Sequence, residues 1–227
     1  QTGDVDWAKV FDGADWFHFT GITPAISKSA GEVCIEAAKA AKELGLTVSA
    51  DMNYRKNLWT PEEAQATMIP MMKYVDVSIG NEEDAEKCLG IAAEGVDVTV
   101  GEIDPEAYRP VVQKLVDTFG FKKVAITLRE SFSADDNGWS AIYFDGDEIH
   151  VGNRYPVRIV DRVGGGDSFC AAMIYGLNQD GWDSRQVLDF AVAASAMSHT
   201  FHGDFNLVSV REVMAVAGGD TSGRVQR

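Results

Sequence analysis

The chain alternates short apolar runs with amphipathic stretches, and no other feature restricts its fold as much. Trp16–Thr20 reads as a strand ending at Gly21. Residues 30–44 read as a helix, because Val33, Cys34, Ala37, Ala38, Ala41 and Leu44 recur at three- and four-residue spacing, with Gly45 as its cap. A second strand follows over residues 46–50 and ends at Asp51. Thr60, Pro61 and Glu63 stand where a helix places its N-cap, N1 and N3 residues. Residues 75–79 form a third strand, and Asn81 opens a short helix. Residues 104–119 are expected to be helical and 123–128 extended. Residues 139–144 and 148–151 are expected to pair as a hairpin around Asp145-Gly146. Residues 158–160 lead into a glycine triplet, then helices over about 167–178, 184–199 and 209–217. Strands alternating with helices indicate an α/β fold with a mostly parallel sheet covered on both faces.

No internal repeat, low-complexity tract or composition break marks a linker, so one α/β domain over 1–227 is the economical expectation. The chain carries 20 Lys+Arg against 35 Asp+Glu, a net charge of −15. Such acidity argues against polyanionic partners, so neither nucleic acid nor a membrane surface is expected. It leaves room for a small phosphate ligand held by a few local groups. Cys34, Cys88 and Cys170 are scattered and odd in number, which fits a reducing cytoplasm with buried thiols. No apolar run reaches the ~18 residues of a membrane span. None of the four histidines has metal-ligand spacing, and His18 is expected in the core or at the sheet end.

The chemistry concentrates in Asp161-Arg162-Val163-Gly164-Gly165-Gly166-Asp167. A strand delivers three glycines and a helix begins at once. Glycines allow a tight turn and close approach of backbone to a ligand, and a helix N-terminus receives anions. Asp167 has two readings. It is an N-cap, a common fate of Asp after a glycine run. Or it is a base that takes a proton from an attacking hydroxyl while the amides hold a transferring phosphoryl group. The segment is neither a GxxxxGK[ST] P-loop nor a GxGxxG fingerprint, which argues against a nicotinamide oxidoreductase.

Residues 161–174 resemble the second signature of the PfkB (ribokinase-like) sugar-kinase family, D-T-x-G-A-G-D followed by a small-residue helix, here with Ala171 and Ala172. The resemblance implies that Asp167 is the catalytic base and that Gly164, Gly165 and Gly166 form its anion hole. Arg162 stands where most members have Thr, Ser or Pro, a neighbourhood that supports a monovalent-cation site in many of them. Asp51-Met52-Asn53-Tyr54-Arg55, continued to Trp59, resembles the D-x-N-x-R-x-x-x-W stretch of fructokinases and 2-keto-3-deoxygluconate kinases. It follows a strand, where open α/β sheets bind ligands, and Arg55 offers a fork suited to a carboxylate or phosphate. A surface loop tied down by Trp59 is the alternative. Asp51, Asn53, Arg55 and Asp167 are thus the substrate-binding candidates.

Asn81 to Asp84 resembles the family's N-x-x-E, with Asp84 in place of Glu. The resemblance implies an Asn81 contact with ATP and an Asp84 contact with Mg²⁺, direct or through water. The alternative is an Asn cap on a helix whose first turn is acidic. Thr127 and Arg129 fall in the place of T-x-G, where a nucleotide-phosphate contact is implied; Arg129 replaces the glycine. Ala194, Met197 and Asn206 lie in an alanine-rich helix and the loop after it, similar to the family's adenine-flanking region.

The resemblance spans nearly the whole chain. It implies a three-layer ribokinase-like fold, ATP and Mg²⁺ as cofactors, a small sugar or sugar acid as acceptor, and 2-keto-3-deoxygluconate as the first choice. Fructose, or another sugar of this family, is the competitor. A non-catalytic nucleotide-binding fragment is the reading from a different class. The family's first strands, the β-lid over the sugar and a Gly-Gly motif are missing before Gln1, so the chain is expected to be the C-terminal part of a longer kinase. The lid makes dimer contacts in many members, which leaves a homo-oligomer open.

Overall fold

The computed structural model describes residues 1–81, 83–92 and 105–219. They belong to two compact units. The first is drawn from within Gln1–Val96, Glu106–Ile126 and Phe144–Asp147; the second from within Asp97–Pro105, Thr127–Tyr143 and Glu148–Arg227.

The first unit contains α1 (Trp7–Val10), β1 (Trp16–Thr20), α2 (Ile22–Ile26), α3 (Lys28–Glu43), β2 (Thr47–Asp51), α4 (Pro61–Met72), β3 (Val77–Asn81), α5 (Asp84–Leu89) and α6 (Arg109–Phe119). Helical crossovers return the chain so that β1 and β2 pair in parallel, from Trp16 opposite Thr47 to Thr20 opposite Asp51. β2 and β3 pair in parallel from Ser49 opposite Val77 to Asp51 opposite Ile79. Thr60 and Glu63 form a capping box at the start of α4 with Pro61 in its first turn, as their spacing predicts. Val48, Ala50, Met68, Met71, Met72 and Val112 are fully buried in this unit.

β3 begins two residues later than expected. Asp76 is an anchor ahead of the ladder: its carboxylate accepts from Lys42 Nζ at 2.7 and 2.8 Å and from the Val48 N–H at 3.0 Å. α1 and α2 were not expected, since they are four and five residues long and carry no apolar periodicity.

β4 (Lys123–Ser131) begins in the first unit and ends in the second. The second unit adds β5 (Asp136–Phe144), β6 (Ile149–Val151), β7 (Tyr155–Arg158), α7 (Gly165–Leu177), α8 (Ser184–Ser198) and α9 (Val210–Ala217). β5 lies between β4 and β6, and β7 pairs antiparallel to it. α7 packs on α8, burying Phe169, Met173, Leu188, Ala191 and Val192. The expected hairpin at Asp145-Gly146 is present, with β5 three residues longer than predicted. A second hairpin joins β4 to β5, so Thr127 and Arg129 stand inside a strand. The strand expected over 158–160 to deliver the glycines lies earlier, as β7 over 155–158, with residues 159–164 forming a loop; its start is hidden by Pro156, a residue that a strand tolerates only at special positions. Among the described residues no helix is long and apolar enough to cross a membrane.

Candidate active site

In the second unit, the site is the start of α7. Gly164 is the N-cap residue, with φ +80° and no side-chain cap bond. A Cβ at this position would collide with the carbonyl oxygen of Asp204, so both conformation and space demand glycine. The helix starts two residues earlier than predicted, which makes Gly165 and Gly166 its first two residues and Asp167 its third. Asp167 is therefore not the N-cap. Its side chain is exposed, at a helix end that favours negative charge. The Ser168 N–H bonds to Gly164 O at 2.8 Å, which leaves the Gly166 and Asp167 amides ahead of the helix's own ladder. Nothing within 4 Å faces a Cβ built on Gly166. Two amides and a carboxylate thus share one open helix end.

This end is braced from several directions. Ser195 Oγ donates to Gly165 O at 2.7 Å. His199, only 5% exposed, has Nδ1 2.7 Å from Ser195 O, which makes Nδ1 the protonated nitrogen. Its ring packs against Trp139 with centroids 4.7 Å apart. Burial holds the imidazole below its ordinary pKa, and the nearby charges of Arg162 and Arg129 act the same way. Asp161 accepts from the Val163 and Gly203 amides at 3.1 Å each, and these bonds hold its carboxyl below the usual range. Arg162 donates to Ala134 O, and to Asn137 Oδ1 at 3.3 Å. The roles of His199, Ser195 and Arg162 in bracing this loop were missed, because no spacing pattern connects them to it.

The other second-unit candidates are structural neighbours of α8 and β4. Asn206 Nδ2 donates to Ala194 O at 3.0 Å, and its Oδ1 accepts from the Val208 N–H, so the structure brings these two candidates together. Met197 is partly exposed, Thr127 is buried and Arg129 is exposed.

In the first unit, the candidates gather at the C-terminal ends of β1, β2 and β3. Asp51 is buried at the end of β2. Asn53 has φ +42°, and its Nδ2 donates to Thr20 Oγ1 at 3.1 Å. Arg55 is exposed and donates to Tyr54 O at 2.9 Å. Trp59 is 8% exposed and its carbonyl accepts from the Tyr54 hydroxyl, so the loop is tied down beneath an outward-facing Arg55. Asn81 ends β3, and its Oδ1 accepts from the Glu83 and Asp84 amides at 2.8 and 3.1 Å, which is the capping geometry. Glu82 lies outside the described residues. Asp84 is 2% exposed, and its two oxygens accept from the Tyr54 and Asn81 amides at 3.0 and 2.9 Å.

The sequence profile described as pfkB family carbohydrate kinase matches residues 2–209. A crystal structure of 2-dehydro-3-deoxygluconokinase from Thermotoga maritima is similar, with 50% identity and a TM-score of 0.88, covering 95% of this chain and 64% of that one. The 2-dehydro-3-deoxygalactonokinase of Haloferax volcanii is 28% identical over 214 residues, 94% of this chain and 60% of its own. The 2-dehydro-3-deoxygluconokinase of Thermoproteus tenax is 33% identical over 205 residues, 88% of this chain and 54% of its own. The chain thus spans between about half and two thirds of the length of these relatives. The expected fold class, three-layer α/β with a mostly parallel sheet, is borne out by the likeness to the Thermotoga structure.

Proposed function

The chain belongs to the pfkB family of carbohydrate kinases, and from that premise we propose that it is the nucleotide-binding and catalytic portion of an ATP-dependent kinase for 2-keto-3-deoxygluconate, also called 2-dehydro-3-deoxygluconate. The observation that carries the reading is the open N-terminus of α7, where the Gly166 and Asp167 amides and the Asp167 carboxylate are all unclaimed by the helix ladder.

In this reading the acceptor's primary hydroxyl attacks the γ-phosphorus. Asp167 takes the hydroxyl proton, the new O–P bond forms, and the bond from the γ-phosphorus to the bridging oxygen breaks to release ADP. Negative charge on the transferring oxygens meets the Gly166 and Asp167 amides of the glycine turn, held in place by the bracing at Gly165, whose own N–H is turned to Arg162 O at 3.4 Å. Fixed donors need no reorganisation as the charge moves. Arg55 pairs with the acceptor's carboxylate, for which its fork is suited; Asp51 and Asn53 shape the loop that carries it. Thr127, Arg129 and Asn81 are assigned to the nucleotide phosphates, and Ala194, Met197 and Asn206 to the adenine side.

Mg²⁺ bound with ATP would supply charge neutralisation at the phosphates. Asp84, buried with both oxygens already accepting backbone N–H groups, does not fit as a direct ligand, and no step is routed through the ion.

A coupled kinase assay on the full-length protein tests the reading, with 2-keto-3-deoxygluconate, fructose, ribose and adenosine in parallel. The sugar acid is expected to be preferred. Preference for a neutral sugar sinks the acceptor assignment, and absence of turnover with all four sinks the kinase assignment.

A further inference from the structure

We propose that Asp84 is a positioning residue for Arg55: its buried carboxylate clamps the loop that presents the guanidinium to the acceptor. The clamp rests on the reading above for its functional consequence, and on geometry for its existence.

The chain leaves β2 abruptly. The Met52 N–H still bonds to Ile79 O at 2.9 Å, continuing the ladder with β3. Asn53 then turns into left-handed space at φ +42°, a conformation that a non-glycine residue holds only when its surroundings impose it. Two side chains impose it here. The Asn53 amide reaches back to Thr20 Oγ1 at the end of β1. The Tyr54 N–H, the next backbone donor, is taken by Asp84 Oδ1. The same carboxylate holds the Asn81 N–H at the end of β3 through Oδ2. Asp84 therefore ties the residue immediately before Arg55 to the neighbouring strand end, and it does so from a site 2% exposed.

The Arg55 carbonyl accepts from the Leu58 and Trp59 amides at 2.9 and 3.4 Å, which closes the turn after it, but its side chain has no such tie. Its guanidinium is exposed, and its hydrogen bond to Tyr54 O is to the carbonyl of the clamped residue itself. Fixing Tyr54 thus fixes the base from which Arg55 extends. The backbone donors also explain why an acid is needed. A carboxylate offers two acceptors to two N–H groups, whereas an amide at the same place turns one donor against a donor.

The experiment uses Asp84→Asn and Arg55→Gln, singly and combined, in the full-length protein. The first readout is limited trypsin digestion, which reports cleavage after Arg55 and Lys56, independent of activity. Asp84→Asn is expected to cleave there at least about fivefold faster than wild type, with other sites unchanged; an unchanged rate overturns the clamp. The second readout is steady-state kinetics. KM for the sugar acid is expected to rise about tenfold in Asp84→Asn, with KM for ATP changed less than about twofold. In the double variant the Asp84 change is expected to add nothing to the Arg55 change. Additive effects, or a rise in KM for ATP or in Mg²⁺ requirement instead, overturn the proposal. Wild-type protein inactive on the sugar acid sinks the functional reading alone, since the digestion still decides the clamp. If Asp84→Asn does not fold, Asp84→Glu keeps both acceptors one methylene displaced, and unchanged cleavage in it is equally fatal.

Discussion

The imidazole of His199 occupies the space in which a side chain at Gly165 would stand, with its Cε1 and Nε2 2.5 and 2.6 Å from the position of a Cβ there. The ring cannot retreat, because Trp139 lies against it and Nδ1 is bonded to Ser195 O. Gly165→Ala is therefore expected to destabilise the protein by about 1–3 kcal/mol, the range for overpacking a filled core. Chemical denaturation measures it. His199→Ala removes the obstacle, so the double variant should lose less than the sum of the two single ones. Simple additivity would show that the two positions do not compete for space.

Asp167 offers a sharper test, because it is exposed at a helix end and contributes little to packing. Asp167→Asn in the full-length protein should lower kcat by about 10²–10⁴-fold, the contribution of a positioned general base. ATP affinity, measured by titration calorimetry, should change little, since the backbone amides remain. A kcat within threefold of wild type would remove Asp167 from the chemistry.

Which parts of this were legible follows from where the information lies. The parallel βαβ run, the α4 capping box and the strand–glycine–helix passage into α7 depend on residues near each other in sequence, and each was read from spacing. The β4–β5 hairpin was not. Its connection, Phe132 to Asp135, contains neither glycine nor proline, and Ser133 makes the turn by accepting from the Asp135 and Asp136 amides with its hydroxyl. For Asp84 the motif implies a metal contact, direct or through water, with an acidic first helical turn as the alternative. That both its oxygens are turned inward depends on Tyr54, which a distant loop brings to it. The brace of His199 and Ser195 beneath Gly165 is likewise a product of α8 packing on α7, which no local pattern announces.

Arg162 shows the same dependence on tertiary placement and yields a third prediction. Its guanidinium reaches the β4–β5 connection and donates to Asn137 Oδ1, on a residue 2% exposed. Arg162→Met keeps much of the aliphatic volume and removes the donor. The cost is expected to be about 1–3 kcal/mol, the desolvation penalty of a buried acceptor left without its partner. Replacing Asn137 with Ala removes the orphaned Oδ1 but also the Nδ2 donor to Ser133 O at 3.1 Å, so the double variant should lose less than the sum of the two single ones rather than return to wild type. A loss of under about 0.5 kcal/mol in Arg162→Met would mean that the contact is absent in solution.

Asp84 also predicts how stability responds to pH. Burial pushes its carboxyl up from 3.8 to about 6, against the two backbone donors and the charge of Arg55, which pull the other way. In the unfolded chain the group titrates near 4. Between about pH 4 and pH 6 the unfolded chain has therefore released a proton that the folded protein retains. The contribution is fully present below about pH 4 and is lost as pH rises through about 6. A shift of about two units corresponds to roughly 3 kcal/mol. Asp84→Asn cannot ionise at this position and lacks this contribution. Urea unfolding of both proteins at pH 4, 5, 6 and 7 isolates it: the stability of wild type minus that of the variant should fall as pH rises. A difference that grows with pH would mean that the Tyr54 and Asn81 amides outweigh burial and hold the carboxylate ionised.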